Sequence, residues 1–543
     1  MLDSQAMRSI SSRLWLLSLA SAFLQLLPFP LEGPAPLWRR AFCWCCLVPL
    51  LMALLGRTKT GAKLGPLQSA LVSYLCGVVW YFGNCYWIYR TMHVYESIPA
   101  VASLGILLLF SLYVGLYHAL FGCVMGLLHK KVSRNTVLYA VPFVWVAVEL
   151  ARARITGFPW DLLGYTQVDN LALDKLAPWT GVMGLSFVIA AVNALWLVRL
   201  PARRGKLVYA GAAAAGLVTV IATGVTFAGR GPVKEQAPEV ATLVQVNLGV
   251  GREDSKEETK QQMIAAFTQL SLQPPYSAGV SGAPQLIAWP ESPAPFIESD
   301  TAFRSALEQL AVEAKAPVVA NAITLGPVNE DRHYSLYNSA TFFLPNGSYA
   351  GHYDKMHLVP FGEYTPYKPL FFFVGHLLDD LNFIPGTEHK LLDSGGHHFG
   401  VFICYESIFG DDMRRFALDG AQVLVNISDD GWYGDTSAPW EHLDMVRMRA
   451  IENGRWVLRA TNTGVTAAID PQGRVTATLP RHIRSAISVA FAYENGITFY
   501  TQHGDWFAWV CACATMAFLF GGLSRVAFPQ GLKPRFAEHR WHG

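Results

Sequence analysis

Charge is what this sequence has least of. Only 15% of its 543 residues are Asp, Glu, Lys or Arg, and the net charge is +2. No basic tract is long enough to follow a nucleic-acid backbone, so no nucleic-acid partner is expected. A disulfide framework is also missing. Eight of the nine cysteines (Cys43, Cys45, Cys46, Cys76, Cys85, Cys123, Cys511 and Cys513) lie in apolar runs. Cys43-x-Cys45-Cys46 has no accompanying His or second Cys pair, so it reads as small membrane-core residues rather than a metal site. Internal repeats and low-complexity linkers are absent. What the chain does have is apolar surface: 52% hydrophobic residues and a mean hydropathy of +0.27. That excess implies an integral membrane protein rather than a soluble globular one.

Eight apolar stretches approach the ~20 residues that a span needs. They are residues 14–30, 41–56, 67–89, 100–128, 136–152, 179–199, 207–228 and 505–526. The first lacks a small-x-small cleavage site and reads as a span, not a signal peptide. Positive residues orient the set. Arg8 and Arg13, Arg57 to Lys63, Lys130 to Arg134, Arg199 to Lys206, and Lys533 to Arg540 fall on one side if both termini are cytoplasmic. Two pairs, Arg39 with Arg40 and Arg152 with Arg154, land on the other side. The chain then divides into 1–229 with seven membrane helices, 230–503 as an outer domain, and 504–543 with the last helix and a cytoplasmic tail. The outer loop from Thr156 to Thr166 carries Phe158, Pro159 and Trp160. Aromatics at an interface suit a lipid-headgroup platform, which makes Phe158 and Trp160 candidate substrate contacts, or a dock for the outer domain.

The outer domain alternates strands and helices. Strands are expected at Val240–Leu248, Gln285–Trp289, Pro317–Ile323, Ser339–Leu344, Tyr349–Tyr353, Phe399–Ile403, Val423–Ile427 and Val457–Ala460, with helices at Ala302–Ala314 and Glu441–Asn453 among others. That alternation argues an α/β domain of sheets covered by helices. Asp470-Pro471-Gln472-Gly473 suits a hairpin turn. Cys404 is the single cysteine between Arg230 and Gly504, and it ends the apolar run Val401 to Ile403. A strand-to-turn junction is where many enzymes present a nucleophile, although a buried structural thiol is the common fate of a free cysteine. Glu291 follows the strand ending at Pro290, and Lys355 follows the strand ending near Tyr353. Three chemical types at three strand ends are harder to dismiss than one, because strand ends converge on the sheet edge where α/β sites form.

Trp289-Pro290-Glu291-Ser292, Lys355-x-His357-Leu358-Val359-Pro360-Phe361-Gly362-Glu363 and Ile403-Cys404-Tyr405-Glu406 resemble the Glu–Lys–Cys set of the nitrilase (carbon–nitrogen hydrolase) superfamily. With the flanking spans, Gly157 to Trp160, Asn426 to Gly434, His442 to Ala450 and Thr461 to Ala467 extend the likeness nearly end to end. The chain as a whole resembles the membrane-integral apolipoprotein N-acyltransferase family. It departs from that pattern at Asp429 and Gly431, where Asn and Ala are expected.

The resemblance implies a polytopic α-helical bundle of about eight spans carrying a nitrilase-like αββα sandwich. It also implies a bacterial inner-membrane acyltransferase with its catalytic domain on the periplasmic side. The donor would be a phospholipid, typically phosphatidylethanolamine. The acceptor would be the α-amine of an apolipoprotein's diacylglyceryl-cysteine, reached through a ping-pong thioester. No cofactor or metal is implied. Cys404 would be the nucleophile and Glu291 the general base, a role that partial burial beside Trp289 would suit. Lys355 would face the developing oxyanion and favour the thiolate. Glu363 would orient Lys355, and Glu406 would hold the site loops together. Tyr405 and Trp289 either shape the pocket or are core aromatics, and His357 is read as structural. The apolar stretch Pro369 to Leu378, with Phe371, Phe372 and Phe373, reads as an arm dipping into the outer leaflet, with a core helix as the alternative. Two rival readings share the motifs: a membrane-anchored amidase or nitrilase that passes its acyl group to water, and a non-catalytic membrane binding protein. Eight spans argue against the first and an intact triad against the second.

Overall fold

A computed structural model describes residues 9–198, 237–250, 258–291, 296–328, 334–360, 362–364 and 383–527. The span expected at 207–228 and the arm with Phe371, Phe372 and Phe373 lie outside the described residues. The N-terminal part is a helical bundle: α1 (Ser12–Leu26), α2 (Leu37–Leu54), α3 (Pro66–Asn84), α4 (Trp87–Tyr95), α5 (Ala100–Lys131), α6 (Arg134–Thr156) and α7 (Val182–Leu195). Helix α3 lies tightly on α5. A Cβ on Gly122 or Gly126 of α5 would collide with Ser69, and one on Gly77 of α3 would collide with His118. Small residues let these two backbones approach, as helices do where lipid removes the hydrophobic drive between them.

By helix length, the described residues support fewer spans than the eight expected. Among the described residues, α2, α5 and α6 are long and apolar enough to cross a membrane; α3 and α4, bent by 48° at their break, make a fourth if counted as one span. Helix α1 stops at Leu26, just before Pro28, and has 15 residues. Helix α7 has 14, starting after Gly181. The apolar runs in the sequence had counted turn residues that the helices do not use, and proline cannot continue a helix interior.

The α/β part is a sandwich of two sheets. Its strands are β1 (Glu239–Gln245), β2 (Tyr276–Ser277), β3 (Leu286–Ala288), β4 (Val318–Val328), β5 (Tyr334–Phe343), β6 (Tyr349–Asp354), β7 (Leu391–Ser394), β8 (His397–Ile403), β9 (Val423–Ser428), β10 (Val457–Thr461), β11 (Ala467–Ile469), β12 (Val475–Thr478) and β13 (Ser485–Phe491). One sheet runs β2-β13-β1-β3-β4-β5-β6 and the other β12-β11-β10-β9-β8-β7. Helices α8 (Lys260–Leu272) and α9 (Thr301–Ala314) cover the first sheet through Phe267, Phe303 and Leu307. Between the sheets, Leu243, Ala288, Val319 and Phe342 meet Val401, Ile403, Val425 and Leu458. Helices α10 (Gly410–Leu418) and α11 (Ala438–Asn453) cover the second sheet. The expected hairpin at Asp470 joins β11 to β12, and the Asp470 carboxylate accepts from the Gln472 and Arg474 backbone N–H groups. A final helix, α12 (Trp506–Ala527), returns to the bundle.

Candidate active site

The parallel ladder β8-β9-β10 sets the site. Ile403 pairs with Ile427, and Ser428 with Thr461. The residues that follow each strand, Cys404, Asp429 and Asn462, therefore stand side by side at one edge. Cys404 has φ +48°, in the left-handed region. That is uncommon for a residue with a Cβ and is found where surrounding structure enforces it. The enforcement is visible in Glu406. Its Oε2 accepts from Ile403 N–H at 2.7 Å, and its Oε1 accepts from the Tyr353 hydroxyl at 2.7 Å, Met356 N–H at 2.7 Å and His357 N–H at 3.3 Å. One buried carboxylate thus ties the end of β6, which carries Lys355, to the turn that carries Cys404.

Lys355 is 1% exposed. Its Nζ lies 3.2 Å from Glu291 Oε1 and 3.0 Å from Glu363 Oε1. Asn338, in the middle of β5, donates through Nδ2 to both of those oxygens, at 2.8 and 2.7 Å. Asn321 donates to Asn338 Oδ1 at 2.7 Å, which fixes the amide with its NH2 toward the carboxylates. The other oxygens are also held: Glu291 Oε2 by Asp429 N–H at 3.1 Å, and Glu363 Oε2 by Val359 N–H at 2.7 Å. Burial works against the Lys355 charge, but Glu291 and Glu363 more than restore it, so the ammonium is held above its ordinary range. For Cys404 the balance is reversed. Burial pushes the thiol well above its usual value, Glu291 adds to that, and Lys355 opposes without overcoming it. The resting sulfur therefore carries its proton, and attack requires a base at the moment of reaction. Lys355 alone does not preform the thiolate.

Sequence reasoning missed Asn338 and a second buried network behind the nucleophile. His442 Nε2 is 2.6 Å from Ser407 Oγ and 3.1 Å from the Cys404 carbonyl, and Nδ1 is 2.8 Å from Asp430 Oδ1. Arg459 donates to Asp430 Oδ2 at 2.6 Å. Burial alone would raise Asp430, but Arg459 and His442 hold it well below the usual carboxylate range. The other supporting residues fall as follows. The Tyr405 hydroxyl donates to Gly157 O at 3.2 Å and so reaches the bundle loop. Trp289 points away from the site into the core beneath α8, packed on Phe267 and donating to Ser271 Oγ at 2.8 Å. His357 stacks on Phe409 and pairs with Asp412 at 2.8 Å. Among the described residues, no group of three His, Cys, Asp or Glu could hold a metal ion.

A family model described as carbon–nitrogen hydrolase matches residues 241–494, and one described as apolipoprotein N-acyltransferase N-terminal domain matches residues 15–195. The apolipoprotein N-acyltransferase of Geobacter metallireducens is 33% identical over 513 residues, which cover 93% of this chain and 94% of that protein. The chain belongs to the apolipoprotein N-acyltransferase family. The family member from Methylococcus capsulatus is 32% identical over 86% of this chain and 89% of its own. Among solved structures, an amidase from Nesterenkonia sp. is 20% identical, covering 49% of this chain and 94% of that one, with a TM-score of 0.34. The nitrilase-like assignment rests on the carbon–nitrogen hydrolase model and the two-sheet topology.

This family member joins its two parts through a seam of paired charge, buried at Arg40 and Asp444 and open to solvent at Arg154. Arg40 pairs with Asp169 at 3.1 Å and Asp444 at 2.7 Å, and Arg447 pairs with the same two acids at 2.6 and 3.1 Å. Arg154 pairs with Asp411 and Asp505 at 2.6 and 2.7 Å. Arg152 donates to Trp160 O at 2.7 Å. Of the four arginines that broke the positive-inside pattern, Arg40 and Arg154 pair with carboxylates of the α/β domain, Arg152 holds the Trp160 loop, and Arg39 donates to the Leu27 and Phe29 carbonyls after α1. Trp160 is wholly buried and donates to Glu441 Oε2 at 2.8 Å, with Phe158 stacked beside it. The burial of both rings and the Trp160–Glu441 hydrogen bond fit the dock reading of this loop.

Proposed function

We propose that this protein moves an acyl chain from a phospholipid, typically phosphatidylethanolamine, to the α-amine of the diacylglyceryl-cysteine at an apolipoprotein's N-terminus. The reaction runs in two halves. As Sγ of Cys404 attacks the ester carbonyl, Glu291 takes the thiol proton and passes it to the departing lysophospholipid oxygen. The acyl group is left as a thioester. The neutral acceptor amine then attacks the thioester, and its proton travels through Glu291 back to the sulfur. Lys355 faces the oxyanion in both halves. A thioester suits the task, since it forms readily from an ester and stays reactive toward an amine.

The observation that carries this reading is the buried contact of Lys355 Nζ with Glu291 Oε1 at 3.2 Å, framed on its far side by Glu363. It pairs a cation with the base beside a protonated thiol. Family membership supports the acyl-transfer reading of that chemistry, and no step calls for a cofactor or metal. The seam arginines support a catalytic domain on the outer side of the bacterial inner membrane. Eight spans, with 1–229, 230–503 and 504–543 as the divisions, complete the reading, as does an acyl-guiding arm at Phe371, Phe372 and Phe373. The test supplies purified enzyme with acyl-labelled phosphatidylethanolamine and a synthetic diacylglyceryl-cysteinyl peptide. N-acylated peptide should accumulate, with parallel double-reciprocal lines as donor is varied at several acceptor levels. Label released only as free fatty acid would instead favour the hydrolase reading.

A further inference from the structure

Asp429 stands beside the base and has an unexpected surrounding. Its backbone N–H holds Glu291 Oε2 at 3.1 Å, so the two carboxyl groups share one corner of the site. Its side chain is 3% exposed. Oδ1 accepts from Gly431 N–H at 2.9 Å and from Asn462 Nδ2 at 3.0 Å. Oδ2 is buried and, among the described residues, has no hydrogen-bond partner. Among the described residues no cation is placed to pair with it: Lys355 is committed to Glu291 and Glu363, and Arg459 to Asp430. The groups around it are Glu291 from the end of β3, Asp430 from its own turn, the neutral Asn462 and Thr463 after β10, and Val250 after β1. An ionised carboxylate in that place would be buried, beside another, with only two neutral donors on one oxygen.

We infer that Asp429 works as a neutral acid that keeps its own proton, so that Glu291 is the single anionic base of the site. This rests on the Glu–Lys–Cys reading above. The arrangement follows the general rule for adjacent carboxyls, in which one ionises and the other does not. Burial, and next the Glu291 charge, push Asp429 up to about 8, in keeping with the geometry. Gly431 belongs to the same device. A Cβ there would sit 2.8 Å from Asp429 Oδ1, 2.7 Å from Thr463 Oγ1 and 3.0 Å from Val250 Cγ1. Without a side chain at 431, the carboxyl can lie where it does. The two departures from the family pattern therefore lie in contact with each other. Loss of the Asp429 proton would place a second negative charge next to Glu291 and oppose the oxyanion that each half-reaction builds.

The test follows thioester formation on Cys404 from phosphatidylethanolamine alone, by quenched-flow and intact mass, from pH 7 to pH 9.5. Leaving out the acceptor keeps the amine's own titration out of the profile. In the native protein the rate should fall about tenfold per pH unit above about pH 8, the slope for loss of one proton. In Asp429→Asn that fall should disappear, with rates at pH 7 and pH 9 within about twofold. The smaller Asp429→Ser carries the same expectation should the Asn variant not accumulate. An identical fall in native protein and variant would overturn the inference. So would a folded Asn variant that forms no thioester at any pH, because an amide supplies the neutral state the inference requires. Absence of thioester in the native protein at every pH would instead remove the Glu–Lys–Cys reading itself.

Discussion

Lys355 cannot be understood apart from the oxygens that surround it. A lysine 1% exposed would lose its proton if left alone; two carboxylates at 3.0 and 3.2 Å keep it charged. Both carboxylates are in turn steadied by one amide, Asn338. Glu406 does the corresponding work for Cys404 with four donors. Glu406→Gln should therefore be costly although it preserves shape. An amide offers one acceptor oxygen, and its NH2 would face donors. The loss of charge-assisted bonds should cost about 2–4 kcal/mol of stability and lower the rate of thioester formation by about tenfold or more. Thermal unfolding and single-turnover acylation check both effects; a variant with native midpoint and native rate would contradict the tie. At this scale Glu291, Lys355 and Cys404, which the structure brings together, were legible because each puts an unusual chemistry just past the end of a strand. Asn338 was not legible. Its carboxylate partners Glu291 and Glu363 are 47 and 25 positions away in the chain, and an Asn in a strand reads as an ordinary solvent-facing position. Trp289 was ambiguous for a different reason: it and Glu291 lie just past the last residue of β3, where the alternation of a strand no longer dictates where a ring points.

Among the elements, α11 decides how the two parts meet. Its sequence, with Glu441, Asp444, Arg447, Arg449 and Glu452, suggests a helix with a solvated face. In the structure all five are buried. Leu443, Val446 and Ala450 face the second sheet, while Met445, Met448 and Ile451 join the core of the bundle. Charge on this helix is the seam itself, neutralised by Arg40, by Asp169 and by pairs within the helix. Truncating one member of a buried pair typically costs about 3–5 kcal/mol, mostly through the charge left behind. Since Arg447 remains to hold Asp169 and Asp444, Arg40→Ala should fall near the low end, about 3 kcal/mol. Hydrogen exchange should speed up across Ala438–Asn453, and the thermal midpoint should drop. Exchange unchanged there would mean the seam adds nothing to docking. The helix and strand order of the domain was largely legible, because the periods of the hydrophobic pattern are distinct. Span boundaries were less so: an apolar turn and an apolar helix have the same composition, and α1 and α7 end well inside the runs that contain them.

The whole molecule couples a site built on strand ends to a bundle that packs against the buried helix α11, the α10 carboxylate Asp411 and the turn at Tyr405. Tyr405, next to the nucleophile, bonds to Gly157 of the bundle loop, so the reacting sulfur is within one residue of the membrane part. Two of the four arginines that looked irregular in the sequence, Arg40 and Arg154, meet carboxylates of the α/β domain. That relation could not be read from a linear chain, because Arg40 and Asp444 are 404 positions apart. The central claim is that Cys404 carries the acyl group between two lipid substrates. Intact mass of the purified protein after incubation with phosphatidylethanolamine tests it most directly. The account predicts one added acyl mass on the native chain, removed by neutral hydroxylamine, and no such labile adduct on Cys404→Ser. A native chain that gains no mass, or a Cys404→Ser chain with the same labile adduct, would contradict it.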